Sequence, residues 1–309
     1  MKQFEAPQEQ PHRSREGHSV PVAVTGAAGR VGSAVVDMLL SRGYSVVAID
    51  RATSESQPSH EGMDIVAADL TDYRAICHAL EGCGALIHLA AIPGPRRESD
   101  VEVHNNNVVA SYNAMRAAIE VGIERICQAS SINAIGAAFS RAPRYDYLPV
   151  DEAHPTYNED PYSLSKWVSE QQAASLSRRF ETVSITSLRL HLVAADEVEA
   201  RAFTTRNEAM AARHLWGWTA SSAAAEACLL ALDRALPGDH VYNIVAPRQV
   251  GPAPTGELLI RYYPDVSVRR ALAGDDGLID CAAAERELGW RHDAYVSVET
   301  NRKEDECQQ

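Results

Sequence analysis

A glycine-rich turn between an apolar segment and an amphipathic one constrains the fold of this 309-residue chain most strongly. Val20 to Val24 has the composition of a buried strand, and residues 25–32 read Thr-Gly-Ala-Ala-Gly-Arg-Val-Gly. From Val31 to Leu39, apolar residues recur at the i, i+3, i+4 spacing of a helix with one buried face. Tyr44 to Ile49 predicts a second strand, and Asp50 stands at its end. Strand, glycine turn, helix, strand and acid follow one another in the order of a dinucleotide-binding unit.

The chemistry of this unit predicts which groups hold the dinucleotide. Glycines let the backbone approach a pyrophosphate, and the helix N-terminus supplies amide donors and the positive end of a dipole. The residues of the turn expected to contact the cofactor are Gly26, Ala28, Gly29, Arg30, Val31 and Gly32. Asp50 would accept hydrogen bonds from the adenosine ribose and repel a 2′-phosphate, so NAD is favoured over NADP. Arg51 follows directly and would tolerate that phosphate, which weakens the preference.

The chain continues to alternate between strand and helix patterns. Further strands are predicted at 64–68, 85–91, 125–130 and 182–188, and further helices at 73–80, 107–121 and 161–180. This alternation predicts an α/β fold, a Rossmann-type doubly wound parallel sheet covered on both faces. Because ligands bind beyond the C-terminal ends of such strands, segments that are distant in sequence should converge there.

The predicted helix at 161–180 carries a tyrosine and a lysine four residues apart, Tyr162 and Lys166. Residues at this spacing lie on one face of a helix. A fixed cation stabilises a phenolate and lowers the pKa of the tyrosine, so such a pair can exchange protons near neutral pH. Many helices carry a tyrosine and a lysine at this spacing. Here the preceding glycine turn favours the interpretation that the two residues form an acid/base pair.

Composition narrows the class of protein. The net charge of −13 disfavours binding to nucleic acid or anionic membranes, which requires basic patches. No apolar run approaches the roughly 20 residues of a membrane span, and the polar residues 1–18 lack the apolar region of a secretory signal. The six cysteines show no metal-ligand spacing, so we expect reduced thiols, no metal and a cytoplasmic protein.

Taken together, the motifs resemble those of the extended short-chain dehydrogenases/reductases, the family also labelled NAD-dependent epimerase/dehydratase. The resemblance covers about residues 20–292 and is carried, in order, by TGAAGRVG (25–32), Asp50, Asp69-Leu70, HLAA (88–91), NVVASYNAMRAA (107–118), ASS (129–131), YSLSK (162–166), LRL (188–190) and LIDCAAAERELGW (278–290). The resemblance implies a sheet with a small C-terminal substrate-binding lobe and a homodimer formed through the helices at 107–121 and 161–180.

The resemblance also implies roles for individual residues. Tyr162 would be the general acid/base, Lys166 would lower its pKa and hold the nicotinamide ribose, and Ser131 would hydrogen-bond the reacting oxygen. Further cofactor contacts are implied for Asp69, Leu70, Leu89, Ala90, Ala91 and Asn107. For Asn107, a bond to the backbone near the site is the favoured interpretation.

The reaction is less constrained than the fold. Dehydratases of this kind carry an acid pair after the serine, and Ile132 and Asn133 stand there instead. The small lobe disfavours a nucleotide-sugar epimerase, which stays the main alternative. A non-catalytic NAD(P)-sensing protein is a third interpretation, disfavoured because Tyr162 and Lys166 are both present. We therefore expect an NAD-dependent oxidoreductase of a small hydroxyl or carbonyl substrate.

The nearest pattern is that of uronate dehydrogenases, which oxidise a sugar acid. Ser131, Asn133, Tyr162 and His191 are predicted to contact the substrate, and Arg201 is the candidate partner for a carboxylate. Ile132 departs from the polar residue of that pattern, which leaves room for a less polar substrate. No nucleic-acid partner is expected.

The predicted domain organisation follows from these segments. It comprises a disordered leader at 1–18, an NAD-binding core at 19–190 completed by about 233–246, a substrate-binding lobe at 191–232 and 247–300, and a tail at 301–309.

Overall fold

The structure is a computed structural model that describes residues 20–51, 60–94 and 98–293. The predicted leader at 1–18 and tail at 301–309 lie outside the described residues. Within the described part of the chain, no helix is both long and apolar enough to cross a membrane.

Strands and helices alternate along the chain. The strands are β1 (Val22–Thr25), β2 (Val46–Asp50), β3 (Met63–Ala67), β4 (Ala85–His88), β5 (Arg125–Ser131), β6 (Tyr147–Leu148), β7 (Ser184–Leu190), β8 (Val193–Ala194), β9 (Thr219–Ala220), β10 (Gly238–Ile244) and β11 (Ser267–Val268). The helices are α1 (Arg30–Ser41), α2 (Tyr73–Leu80), α3 (Asp100–Glu120), α4 (Pro161–Arg179), α5 (Glu197–Arg206), α6 (Glu208–Arg213), α7 (Ser221–Asp233), α8 (Thr255–Tyr262) and α9 (Ala282–Leu288). A 3-10 turn at Ile132–Ile135 follows β5.

Seven of these strands form one parallel sheet in the order β10-β7-β5-β4-β1-β2-β3. The chain moves outward from β1 through β2 to β3, then returns to place β4 on the other side of β1. That reversal opens a crevice at the C-terminal ends of β1 and β4, where α/β proteins bind ligands. The predicted doubly wound α/β fold is confirmed.

Helices cover both faces of the sheet and bury an apolar core on each. One core packs α1, α7 and α9 against the sheet, and the other packs α2, α3 and α4. A third core lies in the lobe, built from the 3-10 turn, α6, α8 and the segment near Leu278. Strand β4 is buried along its whole length, as expected for a strand covered on both faces.

Helix α3 begins at Asp100, seven residues before the predicted start at Asn107. Ser99 and Glu102 form a reciprocal capping box, in which each side chain accepts from the backbone N–H of the other residue. The polar run at 104–106 therefore belongs to the helix and is not a loop. The predicted start of this helix was too late because the first turns of α3 are mostly polar and exposed, and they lack the apolar spacing of a buried helix face.

Candidate active site

A cleft of about 650 Å³ opens at the C-terminal ends of the central strands. The sequence-predicted residues that line it are Gly26, Gly29, Arg30, Val31, Gly32, Asp50, Arg51, Asp69, Leu70, Leu89, Ala90, Ala91, Ser131, Asn133, Tyr162, Lys166 and His191. Three predicted contacts, Ala28, Asn107 and Arg201, are not part of its lining. Segments spread over more than half of the described chain thus meet at one site.

The glycine turn brings the backbone of β1, α1 and β4 into close contact. Gly26 has φ +68°, and a Cβ there would lie 2.7 Å from the Ala90 nitrogen. A Cβ at Gly32 would lie 2.1 Å from the Gly26 carbonyl oxygen. Gly29 precedes α1, and among the described residues no side chain caps this helix N-terminus. The first-turn amides of α1 are therefore free to bind an anion, and the turn fits the pyrophosphate of a dinucleotide.

Asp50 connects the glycine turn to the end of β2. Its carboxylate accepts hydrogen bonds from the backbone N–H groups of Ala28 (3.2 Å) and Arg51 (2.8 Å). Ala28 thus acts through Asp50 and not at the cleft surface. Because the carboxylate is held at the rim of the cleft, it is placed to accept hydrogen bonds from a ribose.

Asp69 and Leu70 follow β3 at the same rim. The carboxylate of Asp69 accepts from the backbone N–H and the hydroxyl of Thr71, at 2.9 and 2.7 Å. These two hydrogen bonds lower the pKa of Asp69. The carboxylate is therefore fixed in its charged form at the end of the cleft nearest Asp50.

Tyr162 lies in the first turn of α4. Asp160 caps this helix by accepting from the Ser163 backbone N–H at 2.9 Å, and Pro161 occupies the first position, as the sequence predicts. The Phe139 ring meets the Tyr162 ring edge to face, with centroids 5.6 Å apart. Burial raises the pKa of Tyr162 to about 12, the Ser131 hydroxyl lowers it, and the Asp160 carboxylate raises it. In this structure the phenol is therefore protonated at neutral pH.

Lys166 faces the same cleft one turn later. Its Nζ donates a hydrogen bond to the Ala129 carbonyl at 2.6 Å and lies 5.9 Å from the Tyr162 ring centroid. Burial lowers the pKa of Lys166 to about 8, and the Glu170 carboxylate opposes this shift. The sequence predicts that the neighbouring lysine lowers the phenol pKa, but burial is the largest influence on Tyr162 and raises its pKa instead.

A buried ion pair lies behind Lys166 and was missed from the sequence. Arg189 at the end of β7 binds both carboxylate oxygens of Glu170, at 2.9 and 2.8 Å, and the Ser130 hydroxyl donates to the same carboxylate. Glu170 stands one helical turn after Lys166, so the spacing Tyr162, Lys166, Glu170 along one helix face was the available signal.

Ser131 is the last residue of β5 and precedes the 3-10 turn. Its hydroxyl oxygen accepts hydrogen bonds from Asn133. The backbone N–H and the side-chain Nδ2 of Asn133 both point to the Ser131 hydroxyl oxygen, at 3.1 and 3.3 Å. The side-chain Oδ1 of Asn133 in turn accepts from the Ala138 backbone N–H at 2.8 Å. A hydroxyl oxygen has two lone pairs, so these contacts leave the Ser131 proton as the group to donate into the cleft.

Asn107 fixes the loop after β4 and does not face the cleft. Its Oδ1 accepts from the Ile92 N–H at 2.8 Å, and its Nδ2 donates to the Ile92 carbonyl and to the Ser165 hydroxyl. This is the backbone-bonding role favoured from the sequence, and the neighbouring Asn106 lines the cleft instead of Asn107.

The lobe contributes the remaining wall. His191 follows β7 and lines the cleft, whereas Arg201 on α5 turns away to pair with Glu197 at 2.6 Å. Ile132 is buried in the lobe core and does not line the cleft. Lining residues that sequence reasoning did not identify include Pro93, Ala138, Phe139, Phe203, Met210 and His214.

Among the residues that the structure describes, no cluster of His, Cys, Asp or Glu side chains has the arrangement of a metal site. The polar groups that converge on the cleft are instead a protonated phenol, a serine hydroxyl and a buried ammonium. Such a set can donate and accept protons at a hydroxyl or carbonyl oxygen.

Known proteins share this fold and parts of this sequence. The chain is similar to the NAD-dependent glucose-6-phosphate dehydrogenase of Haloferax volcanii, 36% identical over 38% of this chain and 45% of that protein. It is also similar to the L-arabinose 1-dehydrogenase (NAD(P)(+)) of the same organism, 30% identical over 63% of this chain and 76% of that protein. The match to the first relative therefore spans less than half of its length.

Solved structures match over nearly the whole chain. MoeE5 in complex with UDP-glucose and NAD superimposes with a TM-score of 0.66 at 23% identity, covering 92% of this chain and 99% of that one. A mutated uronate dehydrogenase superimposes with a TM-score of 0.63 at 21% identity, covering 92% and 86%. At these identities the likeness shows the shared fold.

The profile of one protein family matches residues 22–245, which include the sheet, the glycine turn, Tyr162 and Lys166. The match covers well over half of the chain and agrees with the strand order and the convergence of motifs at the cleft. The chain therefore belongs to the NAD dependent epimerase/dehydratase family.

Proposed function

We propose that the protein is an NAD-dependent oxidoreductase that interconverts a hydroxyl and a carbonyl on a small sugar, with Tyr162 as the acid/base. The observation that carries this proposal is the convergence of two sets of groups on one cleft. Ser131, Tyr162 and Lys166 lie at one part of it, and the glycine turn with Asp50 lies at another. The names of the sugar dehydrogenases that resemble the chain support the substrate class.

The residues of this chain account for the proton transfer. In the oxidation direction, the Tyr162 phenolate takes the proton of the substrate hydroxyl while Ser131 donates a hydrogen bond to the same oxygen. When bound, the nicotinamide supplies the redox chemistry by accepting the hydride from the carbon as the carbonyl forms. In reduction, the protonated Tyr162 returns its proton to the carbonyl oxygen. The Lys166 ammonium near the buried phenol would lower the pKa of Tyr162 toward the range that oxidation requires, and oxidised nicotinamide, when bound, would add a second positive charge.

Asp50 supports a preference for NAD over NADP. Its carboxylate is fixed at the rim of the cleft by the Ala28 and Arg51 amides, and a 2′-phosphate there would meet a like charge. Arg51 also lines the rim, so NADP should bind measurably but more weakly. Asp50→Asn should reduce the ratio of NAD to NADP affinity, and a wild-type protein that binds NADP more tightly would contradict this role.

A homodimer is the favoured assembly. Large apolar side chains are exposed on α3 and α4, the two helices predicted to pair, and they are Val101, Val109, Tyr112 and Leu164. A second copy of this chain would cover them from both helices at once, because α3 and α4 pack side by side.

A reducing compartment such as the cytoplasm fits the cysteines. All five cysteines of the described residues are free thiols, and Cys127 and Cys228 are buried in the core. Burial and its neighbour Cys228 raise the pKa of the Cys127 thiol, which makes it a poor nucleophile.

The direct test is Tyr162→Phe, assayed by nicotinamide absorbance with sugars and by calorimetric NAD titration. Turnover should fall by at least about a hundredfold, the usual contribution of general acid/base catalysis, while NAD affinity stays nearly unchanged. Full turnover in the variant would refute the assignment. A parallel assay with UDP-glucose tests the alternative: formation of UDP-galactose without net NADH would instead identify an epimerase.

A further inference from the structure

The wall that the lobe contributes to the cleft consists of His191, Phe203, Met210 and His214, called here the lobe wall. These residues lie after β7, outside the part of the chain that forms the glycine turn and the Asp50 rim. Phe139 and Tyr162 line the same cleft and pack edge to face. A substrate whose hydroxyl or carbonyl reaches Tyr162 would therefore rest against a mostly apolar and aromatic surface.

Three positive charges line the described part of the cleft, and each lies outside the lobe wall. Among the described residues that line it, the only Lys and Arg side chains are Arg30, Arg51 and Lys166. Arg30 pairs with Glu199 at 2.8 Å, Arg51 follows β2 at the Asp50 rim, and Lys166 donates to the Ala129 carbonyl. A buried carboxylate or phosphate requires a cationic partner, and the lobe wall provides none.

His191 has no hydrogen-bonding capacity left for a substrate. Its Nδ1 accepts from the Leu192 N–H at 2.7 Å, so the proton must reside on Nε2, which donates to the His214 carbonyl at 2.8 Å. Burial lowers the pKa of His191 well below its usual value, which keeps this neutral form. His191 thus serves to hold the backbone of His214.

His214 is the group of the lobe wall with unused hydrogen-bonding capacity. Its side chain is 4% exposed, it lines the cleft, and its Nδ1 is buried with no hydrogen-bond partner among the described residues. Burial lowers its pKa to about 4, so the ring is neutral at pH 7. An unpaired buried polar group is destabilising, and a ligand hydroxyl that reaches Nδ1 would remove this cost.

Strained backbone holds His214 in this position. The next two residues, Leu215 and Trp216, have φ of +60° and +51°, a region that large side chains rarely occupy. Gly217 then packs against the His191 ring, where a Cβ would lie 3.0 Å from Cδ2. Strain of this kind persists only where the surroundings enforce it, and it clusters at binding sites.

We propose that His214 binds a hydroxyl group of the substrate, and that the substrate is an uncharged sugar without carboxylate or phosphate. The aromatic and methionine side chains of the lobe wall would cover the C–H face of the sugar. Neutral His214 would donate to or accept from one hydroxyl, while Tyr162 and Ser131 hold the reacting oxygen. This inference rests on the proposed oxidoreductase function and goes further by naming its substrate class and a binding residue.

A matched panel of substrates tests the charge. Wild-type enzyme with NAD is assayed with D-glucose, D-galactose and L-arabinose, with glucuronate and galacturonate, and with glucose 6-phosphate. We expect kcat/KM for the best neutral sugar to exceed that for every charged relative by at least about tenfold. A uronate or sugar phosphate as the best substrate would overturn this inference but leave the proposed function intact. No NADH formation with any compound would overturn both.

Variants at His214 test the residue with the best neutral sugar. His214→Phe should raise KM by about three- to tenfold, the loss of one neutral hydrogen bond, with little change in NAD affinity or melting temperature. His214→Asn keeps an amide near the position of Nδ1 and should restore much of the loss. His78→Asn on α2, an exposed histidine far along the sheet, is the control. An unchanged KM in His214→Phe, or an equal rise in the control, would refute the role.

Discussion

Removal of the Glu170 carboxylate should destabilise the protein strongly, because it would leave the Arg189 guanidinium buried without a counterion. The two side chains are 3% and 8% exposed, and the pair is bidentate with N–O distances of 2.9 and 2.8 Å. Breaking a buried ion pair of this geometry costs about 3–5 kcal/mol. The Ser130 hydroxyl, which donates to the same carboxylate, would lose its acceptor and add about 1 kcal/mol.

The assay is thermal and urea unfolding of Glu170→Leu. At about 2–4 °C per kcal/mol, the combined loss of about 4–6 kcal/mol should lower the melting temperature by roughly 8–24 °C. The double variant Glu170→Leu/Arg189→Met replaces both charges by apolar groups and should recover to within about 2 kcal/mol of wild type. A single variant as stable as wild type, or a double variant no better than the single one, would refute the reasoning.

The double variant Glu170→Leu/Arg189→Met has a second readout at Lys166. The Glu170 carboxylate raises the pKa of Lys166 against the effect of burial, which lowers it to about 8. Without Glu170 the ammonium should lose its proton at a lower pH. The alkaline limit of activity in the double variant should therefore move to lower pH, a change that stability alone would not produce.

Three further predictions concern stability, the cofactor and assembly. Burial lowers the pKa of His88 to about 3 and that of His214 to about 4. Below pH 6.5 the unfolded chain therefore binds protons that the folded protein excludes, so the free energy of unfolding should fall by about 2 kcal/mol for each histidine between pH 7 and 5. A free energy of unfolding in urea that stays constant over this pH range would contradict this. Gly32→Ala should abolish NAD binding measured by calorimetry, because its Cβ would meet the Gly26 carbonyl, whereas Gly256→Ala, with open space around it, should not. Leu164→Glu should shift the protein toward monomer in analytical ultracentrifugation if α3 and α4 form the dimer, and an unchanged mass would place the interface elsewhere.

The fold and the cofactor half of the site could be predicted because their signals are local. The turn at Gly26 and Gly32 requires glycine for reasons of backbone contact, and the strand and helix on either side have distinct periodicities. Asp160 and Pro161 likewise identify the start of α4 within two residues. Where the local signal was weak, as in the polar first turns of α3, the predicted boundary was wrong by seven residues.

The pKa values of Tyr162 and Lys166 depend on how deeply the two side chains are buried. Their spacing in the sequence gives no information about this burial. Four residues of separation place both side chains on one face of α4 but do not fix what each one contacts. In the structure Lys166 bonds the Ala129 carbonyl, and the desolvation of Tyr162 raises the pKa of its phenol. Under the proposed function, Tyr162 would act as a base only where added positive charge lowers its pKa, and oxidised cofactor would supply such a charge on binding.

The substrate half of the site is set by contacts that no local pattern encodes. Arg201 was the natural candidate for a substrate partner because it is a cation shortly after β7, yet its pairing with Glu197 one helical turn away turns it from the cleft. His214 takes a place in the wall because the His191 ring holds its carbonyl and Gly217 packs against that ring. The two contacts that position His214 join residues more than twenty positions apart, across the end of β7 and the segment after α6. The lobe wall of the cleft is thus set by how the segment after α6 contacts the end of β7, whereas the glycine turn and the Tyr162 side are set by the sheet and the helices that cover it.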